Sequence, residues 1–240
     1  MINKLLKPRR ILNIIVVLKP FLFVGFNILL IVGLFFALVV SPEDYQQGQY
    51  VRIMYVHVPS AWLSLGIYTM ISVLSFFHLV MGSKIVNIIA RELAPIGCGF
   101  TMITLITGSL WGKPTWGTWW AWDARLTFML ILLFFYIAYI SLVKAIYDNL
   151  ESKAPSTLAI LGFINVPIIK FSVDIWNTLH QPASVFKLSG PTIDKTMLVP
   201  LILMFLASSF ASGLILCNNL ERILREKKES SYFCHEKKCE

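Results

Sequence analysis

The chain has 240 residues, of which 57% are hydrophobic and only 14% charged, too few polar groups to cover a soluble globule of this size. Lipid is the expected solvent. The net charge of +8 gathers largely in the two tails beside long apolar runs, so anionic headgroups are its expected counterpart and nucleic acid is a poor one.

A span needs about 20 mostly apolar residues to cross roughly 30 Å of hydrocarbon. Six segments qualify: Phe21 to Val40, Val58 to Met81, Ala94 to Trp111, Leu126 to Tyr147, Thr157 to Phe171 and Met197 to Cys217. The start of the chain pairs basic residues with an apolar run, as a signal peptide does. Phe21 to Val40 is nevertheless longer than an h-region, and no small-residue cleavage site follows, so it reads as a retained first span. Before it, Ile11 to Leu18 reads as an interfacial helix set apart by Lys19-Pro20. The fifth segment is the weakest, being short, carrying Asn165 and Pro167, and ending at Lys170, which can snorkel to the interface. In the sixth, Ala207, Ser208, Ser209, Ala211, Ser212 and Gly213 form small-xxx-small pairs suited to close helix packing.

Charge sets the predicted topology. With the N-terminus inside, only Arg52, Lys113, Arg125, Lys170, Lys187 and Lys195 of the 21 Lys and Arg residues fall outside. This obeys the positive-inside rule, and deleting the fifth span would expel the basic C-terminal tail. The predicted fold class is therefore an all-α integral membrane protein with six transmembrane helices, both termini cytoplasmic, and a tryptophan-rich periplasmic loop between spans three and four. The predicted division is an N-terminal cytoplasmic or interfacial segment over 1–19, one membrane domain over 20–217 and a basic cytoplasmic tail over 218–240.

Cysteine usage adds an exclusion. Cys98 and Cys217 lie in apolar runs and read as small buried residues, and no Cys-x-x-Cys-His is present, so the chain is not itself a c-type cytochrome. Cys234, His235 and Cys239 in the charged tail lack zinc-site spacing. His78, inside the second span toward its cytoplasmic end, is expected to make a structural hydrogen bond.

The third loop reads Trp111-Gly-Lys-Pro-Thr-Trp116-Gly117-Thr-Trp119-Trp120-Ala-Trp122-Asp123-Ala-Arg125, with five of the chain's seven tryptophans within twelve residues. One reading is an interfacial aromatic belt. The other is an aromatic platform for a flat apolar ligand, because a belt spreads over many helix ends while these rings crowd into one loop. If that loop is helical, Trp116, Trp119, Trp120 and Asp123 share a face. Asp123 also suits the N-cap of the fourth span.

His57 stands where the second span begins, with Pro59 near the first turn. His180 follows the fifth span, on one helical face with Trp176 if the helix continues. Each alone is an ordinary polar residue at a helix end. Together on the side of the platform they suit a planar cofactor whose iron takes two imidazoles, haem being the leading candidate. Arg52 and Arg125, with Lys113 as a third cation, either anchor helix ends in headgroups or meet the haem propionates.

These residues carry a family resemblance. The WGxWWxWD core from Trp116 to Asp123, with Asp44-Tyr-Gln-Gln-Gly48, His57-Val-Pro59, Ala94-Pro-Ile-Gly97 and Trp176-Asn-Thr-Leu-His-Gln181, resembles the CcmC family of haem-handling, WWD-domain proteins of cytochrome c biogenesis. The resemblance runs from about residue 40 to residue 185. It implies haem b held transiently and non-covalently at the outer face of the inner membrane and delivered to the periplasmic chaperone CcmE. It further implies His57 and His180 as axial ligands, and Trp111, Trp116, Gly117, Trp119, Trp120, Trp122 and Asp123 as the loop that cradles haem and meets the chaperone. The transporter subunits CcmA and CcmB and the small protein CcmD are its implied partners.

The sequence agrees with a carrier. It has no Gly-x-x-x-x-Gly-Lys-Ser/Thr phosphate loop, so an ATP-driven step belongs to a partner, and no nucleophile with base or carboxylate pair on the outer face. Two alternatives stand beside this reading. A membrane b-type haem electron-transfer subunit would place histidines on facing helices within the bilayer, and a solute transporter would show broken helices at midplane.

Overall fold

In the computed structural model the apolar runs become seven helices that make six membrane-length rods, with no strand among the described residues. The structure describes residues 8–146, 149–181, 184–185 and 190–236, with side chains through residue 226. Tyr147, Lys187 and Cys239, and the side chains of Cys234 and His235, lie outside them.

Helix α1 is Pro8–Phe35, closed by a π turn at Phe36–Val40; a 3-10 turn at Gln49–Ile53 leads into α2, Met54–Met81. Then come α3, Lys84–Trp116, and α4, Ala124–Ala145. The fifth rod is two pieces, α5 at Ala154–Gly162 and α6 at Asn165–Ile175, and the sixth is α7, Lys195–Glu236.

Four boundaries differ from the sequence expectation. Lys19-Pro20 does not separate an interfacial helix from the first span: α1 runs straight through Pro20. A proline removes one backbone donor, and tertiary contacts hold the rest of the turn. Ile15 packs with Cys217, Leu220 and Leu224 of α7, and Lys19 Nζ lies 2.7 Å from Glu221 Oε2. Second, α2 begins at Met54, so His57 occupies its first turn and Pro59 its second. Third, α3 continues to Trp116, where Gly117 takes the left-handed conformation (φ 77°) and donates to Lys113 O at 3.1 Å. At 33 residues α3 is roughly 50 Å long and outreaches the hydrocarbon core. The loop proper is only the link from Gly117 to Asp123. Trp116, Trp119, Trp120 and Asp123 therefore do not share a helix face. Fourth, α6 stops at Ile175, so Trp176 and His180 are not on one helix.

The fifth span breaks where its sequence was weakest. Pro167 cannot donate to Phe163 O, and Val166 N takes that carbonyl at 3.0 Å. Asn165 Nδ2 donates to Phe128 O at 2.8 Å, which ties the break to α4.

The core lies among α2, α3, α4 and α5, around the buried Tyr68, Tyr136, Tyr139, Ile71 and Leu132. Glycines admit these large rings: Tyr136 seats against Gly97 and Tyr68 against Gly162, positions where any Cβ would collide. Tyr136 Oη also donates to Ser64 O at 2.7 Å. Elsewhere α1 lies along α7, where Ala207 and Ser212 are buried and Gly213 faces Leu22. The small residues of the sixth span thus serve packing, as expected. His78 makes its structural bond, with Nδ1 2.8 Å from Ser156 Oγ.

Candidate functional site

At one end of the bundle the ends of α2, α3, α4 and α6 and the links beside them surround a cavity of about 710 Å³. Its wall descends through Ala61, Leu65, Leu105, Met129 and Ile169, while Gln46, Gln47, Tyr50, Arg125, Lys170 and His180 ring the upper part. An apolar floor under a polar rim suits an amphipathic guest of cofactor size.

Helix α3 builds one wall, because Thr104, Gly108, Trp111 and Thr115 recur at helical spacing, with Thr107 beside them. His57 lies against this face. Its Nδ1 is 3.1 Å from Thr107 Oγ1, and its ring meets Trp111 edge to face at 5.7 Å. A Cβ on Gly108 would sit 3.0 Å from His57 Cε1, so only glycine leaves the ring this room. The Thr107 hydroxyl gives its single proton to Ile103 O at 2.6 Å, so toward His57 it accepts. Nδ1 of His57 therefore carries the proton, and Nε2 keeps a free lone pair.

His180 is arranged in parallel. Its Nδ1 donates to Asp123 Oδ2 at 3.0 Å, and its ring packs edge-on against Trp116 at 4.9 Å. Asp123 uses its other oxygen as the expected N-cap, accepting from Leu126 N at 2.8 Å. Burial pushes the Asp123 carboxyl up, but hydrogen bonds from His180 and the Leu126 amide outweigh this and hold it below its ordinary 3.8.

The signature tryptophans divide into two groups. Trp111, Trp116 and Trp120 line the cavity, whereas Trp119 and Trp122 do not and are 53% and 78% exposed. Trp111 Nε1 donates to Gln47 Oε1 at 2.9 Å, and Asp44 shapes the turn that presents Gln47 by accepting from the Gln46 and Gln47 amides at 2.9 Å. Ser109 Oγ fixes the link by donating to Trp119 O at 2.7 Å.

Of the three expected cations, Arg125 lines the cavity; its Nε, like Trp120 Nε1, is buried without a hydrogen-bond partner. Arg52 instead donates to Leu38 O and Ser41 O, bracing the end of α1. Lys113 donates to Gly117 O at 3.1 Å and lies over the Trp119 ring. Trp176 packs on Phe128, away from His180.

Sequence reasoning missed Thr107, Gly108, Gln47 and Lys170. The first two stand at i−4 and i−3 from Trp111, a signal the sequence did contain. No sequence spacing joins His57 to Thr107 across two helices.

Six membrane-length rods around a tryptophan-walled cavity with two imidazoles define a multi-pass membrane protein with a ligand site between its helix ends. Residues 1–233 match the family described as CcmC, heme exporter protein C. Heme exporter protein C of Bradyrhizobium diazoefficiens is 46% identical over 204 residues, 85% of this chain and 77% of that protein. Heme exporter protein C of Escherichia coli K12 is 42% identical over 231 residues, 95% of this chain and 93% of that protein. A ccmC-like mitochondrial cytochrome c biosynthesis protein of Marchantia polymorpha is 41% identical over 192 residues, 80% of this chain and 82% of that one. The chain belongs to the heme exporter protein C family, CcmC, and is a multi-pass inner-membrane protein.

Proposed function

We propose that this chain holds haem b in the cavity at the periplasmic face and presents it to the chaperone CcmE for cytochrome c maturation, with His57 and His180 as axial ligands. The observation that carries the reading is the pair of imidazoles lining one tryptophan-walled cavity, each with its Nδ1 engaged by a protein oxygen. Among the described residues no three of His, Cys, Asp and Glu converge on a point, so the protein offers iron two axial ligands and the porphyrin must bring the other four.

Haem is cargo here, and the residues fit it. The apolar floor takes the macrocycle, Trp111, Trp116 and Trp120 flank it, and Arg125 with Trp120 Nε1 are donors still seeking an acceptor, which propionates supply. Lys170 is a further cation at the rim. Arg52 and Lys113 act on the frame instead. The exposed Trp119 and Trp122 are the aromatic surface that meets CcmE. CcmA, CcmB and CcmD act with it, and the chain works as a carrier without bond-making of its own.

The cavity opens at the end whose links hold the fewest basic residues, which supports a periplasmic site and cytoplasmic termini. Histidine placement disfavours an electron-transfer subunit: His57 is in a first helical turn and His180 in a link, not on facing helices at midplane.

Transfer of haem tests the division of tryptophans. The double variant Trp119→Ala, Trp122→Ala should keep haem and slow its passage to soluble CcmE, while Trp120→Ala should bind less haem from the start. Normal transfer by the double variant would remove the exposed pair from the chaperone site.

A further inference from the structure

The two imidazoles of the cavity differ in what stands behind them. Nδ1 of His180 donates to an ionised carboxylate, whose other oxygen is pinned to the first turn of α4. His57 faces only neutral acceptors, the Thr107 hydroxyl, which has already given its own proton to Ile103 O, and the Thr104 carbonyl. A carboxylate draws the Nδ1 proton toward itself and raises electron density on Nε2, strengthening its bond to iron, above all to ferric iron. A hydroxyl does this weakly.

We propose that the pair is unequal: Asp123 makes His180 the holding ligand of haem iron, and Thr107 leaves His57 the ligand that yields first when the cargo departs. The inference rests on the reading that both histidines bind iron. It assigns Asp123 and Thr107 as positioning residues that act through the imidazoles.

Geometry gives the Asp123 bond a second task. His57 is fixed by the first turn of α2, whereas His180 sits in a link with no helix around it. The Asp123 bond and the Trp116 ring contact therefore supply what helical backbone supplies to His57. The inequality also suits a carrier. Two equally strong ligands would have to be broken with equal difficulty, whereas one strong and one weak ligand keep the cargo until a recipient's own ligand replaces the weak one.

The test uses the full chain in detergent, loaded with ferric haem b. Asp123→Asn keeps the α4 cap through Oδ1, since asparagine caps as well as aspartate, but turns an NH2 donor toward His180 Nδ1 and so removes the acceptor behind the imidazole. It should weaken the His180 bond to iron, raise the reduction potential, and release haem to excess apomyoglobin about ten- to a hundredfold faster. Each tenfold loss of preference for ferric over ferrous iron reads as about 59 mV. Thr107→Val should change release less, by about two- to tenfold. In a second measurement independent of these variants, His57→Gly should keep haem in a five-coordinate state on His180, and His180→Gly should lose most of it.

Equal or larger effects of Thr107→Val, or greater haem loss in His57→Gly than in His180→Gly, overturn the assignment. A wild-type spectrum that is not bis-imidazole low-spin sinks the parent reading and this inference with it. An unshifted Asp123→Asn beside a bis-imidazole wild type sinks this inference alone.

Discussion

Asp123 joins two structures with one side chain: Oδ1 starts α4 and Oδ2 orients His180. Asp123→Ala removes both, and the cap alone is worth about 1 kcal/mol. We expect a lower Tm in detergent together with loss of haem, whereas Asp123→Asn keeps the Tm and changes only the haem signals. The hydrogen bonds that depress this carboxyl also set a pH dependence. Their contribution is fully present above the ordinary carboxylate value of 3.8 and is lost as pH falls through the lower folded value. Proteolysis of the link after α6 should therefore stay flat from about pH 6 down to about pH 4 and rise below it. A rise centred well above that window would assign the link's stability to another group. The cap was legible in the sequence because capping is local. The bond to His180 was not, because 57 residues separate the partners and the helical spacing assumed for His180 does not hold.

At the scale of elements, glycine sets how closely the helices carrying the site approach. Gly108 leaves room for the His57 ring, so Gly108→Ala must push that ring by a few tenths of an ångström. We expect Gly108→Ala to fold with unchanged Tm and to bind haem with an altered low-spin spectrum. Gly97→Ala differs, because its Cβ would enter the buried Tyr136 ring; overpacking of this kind costs typically about 1–3 kcal/mol. A lower Tm with an unchanged haem spectrum is the outcome that separates packing from site. The six spans and the α1 and α7 packing were readable from apolar length and small-residue spacing. The ends were not. Pro20 and Pro114 both lie inside helices that the sequence reading stopped or thinned, since tertiary packing and the lack of competing water hold a helix through a single missing donor.

Over the whole molecule, charge asymmetry and cavity agree on one polarity. The basic residues Lys19, Lys84, Arg91, Lys144 and Lys153 sit away from the cavity, some of them paired, as in Lys84 with Glu151 at 2.8 Å. A cysteine at Thr118, in the link between α3 and α4, should react with an impermeant maleimide in intact cells. Reaction only after lysis would invert the topology and put the cavity on the cytoplasmic side. The fold class was legible because lipid allows few backbone solutions. The cavity was legible only in outline, since the sequence showed crowded tryptophans but not that Trp111 and Trp116 face inward while Trp119 and Trp122 face out.

The central claim is that the two imidazoles lining one cavity, His57 and His180, hold one iron. The absorption spectrum of the purified, haem-loaded chain tests it most directly, recorded for the wild type and for His57→Ala and His180→Ala. The account predicts a six-coordinate low-spin spectrum in the wild type that each single substitution abolishes. A low-spin spectrum that survives either substitution would contradict it.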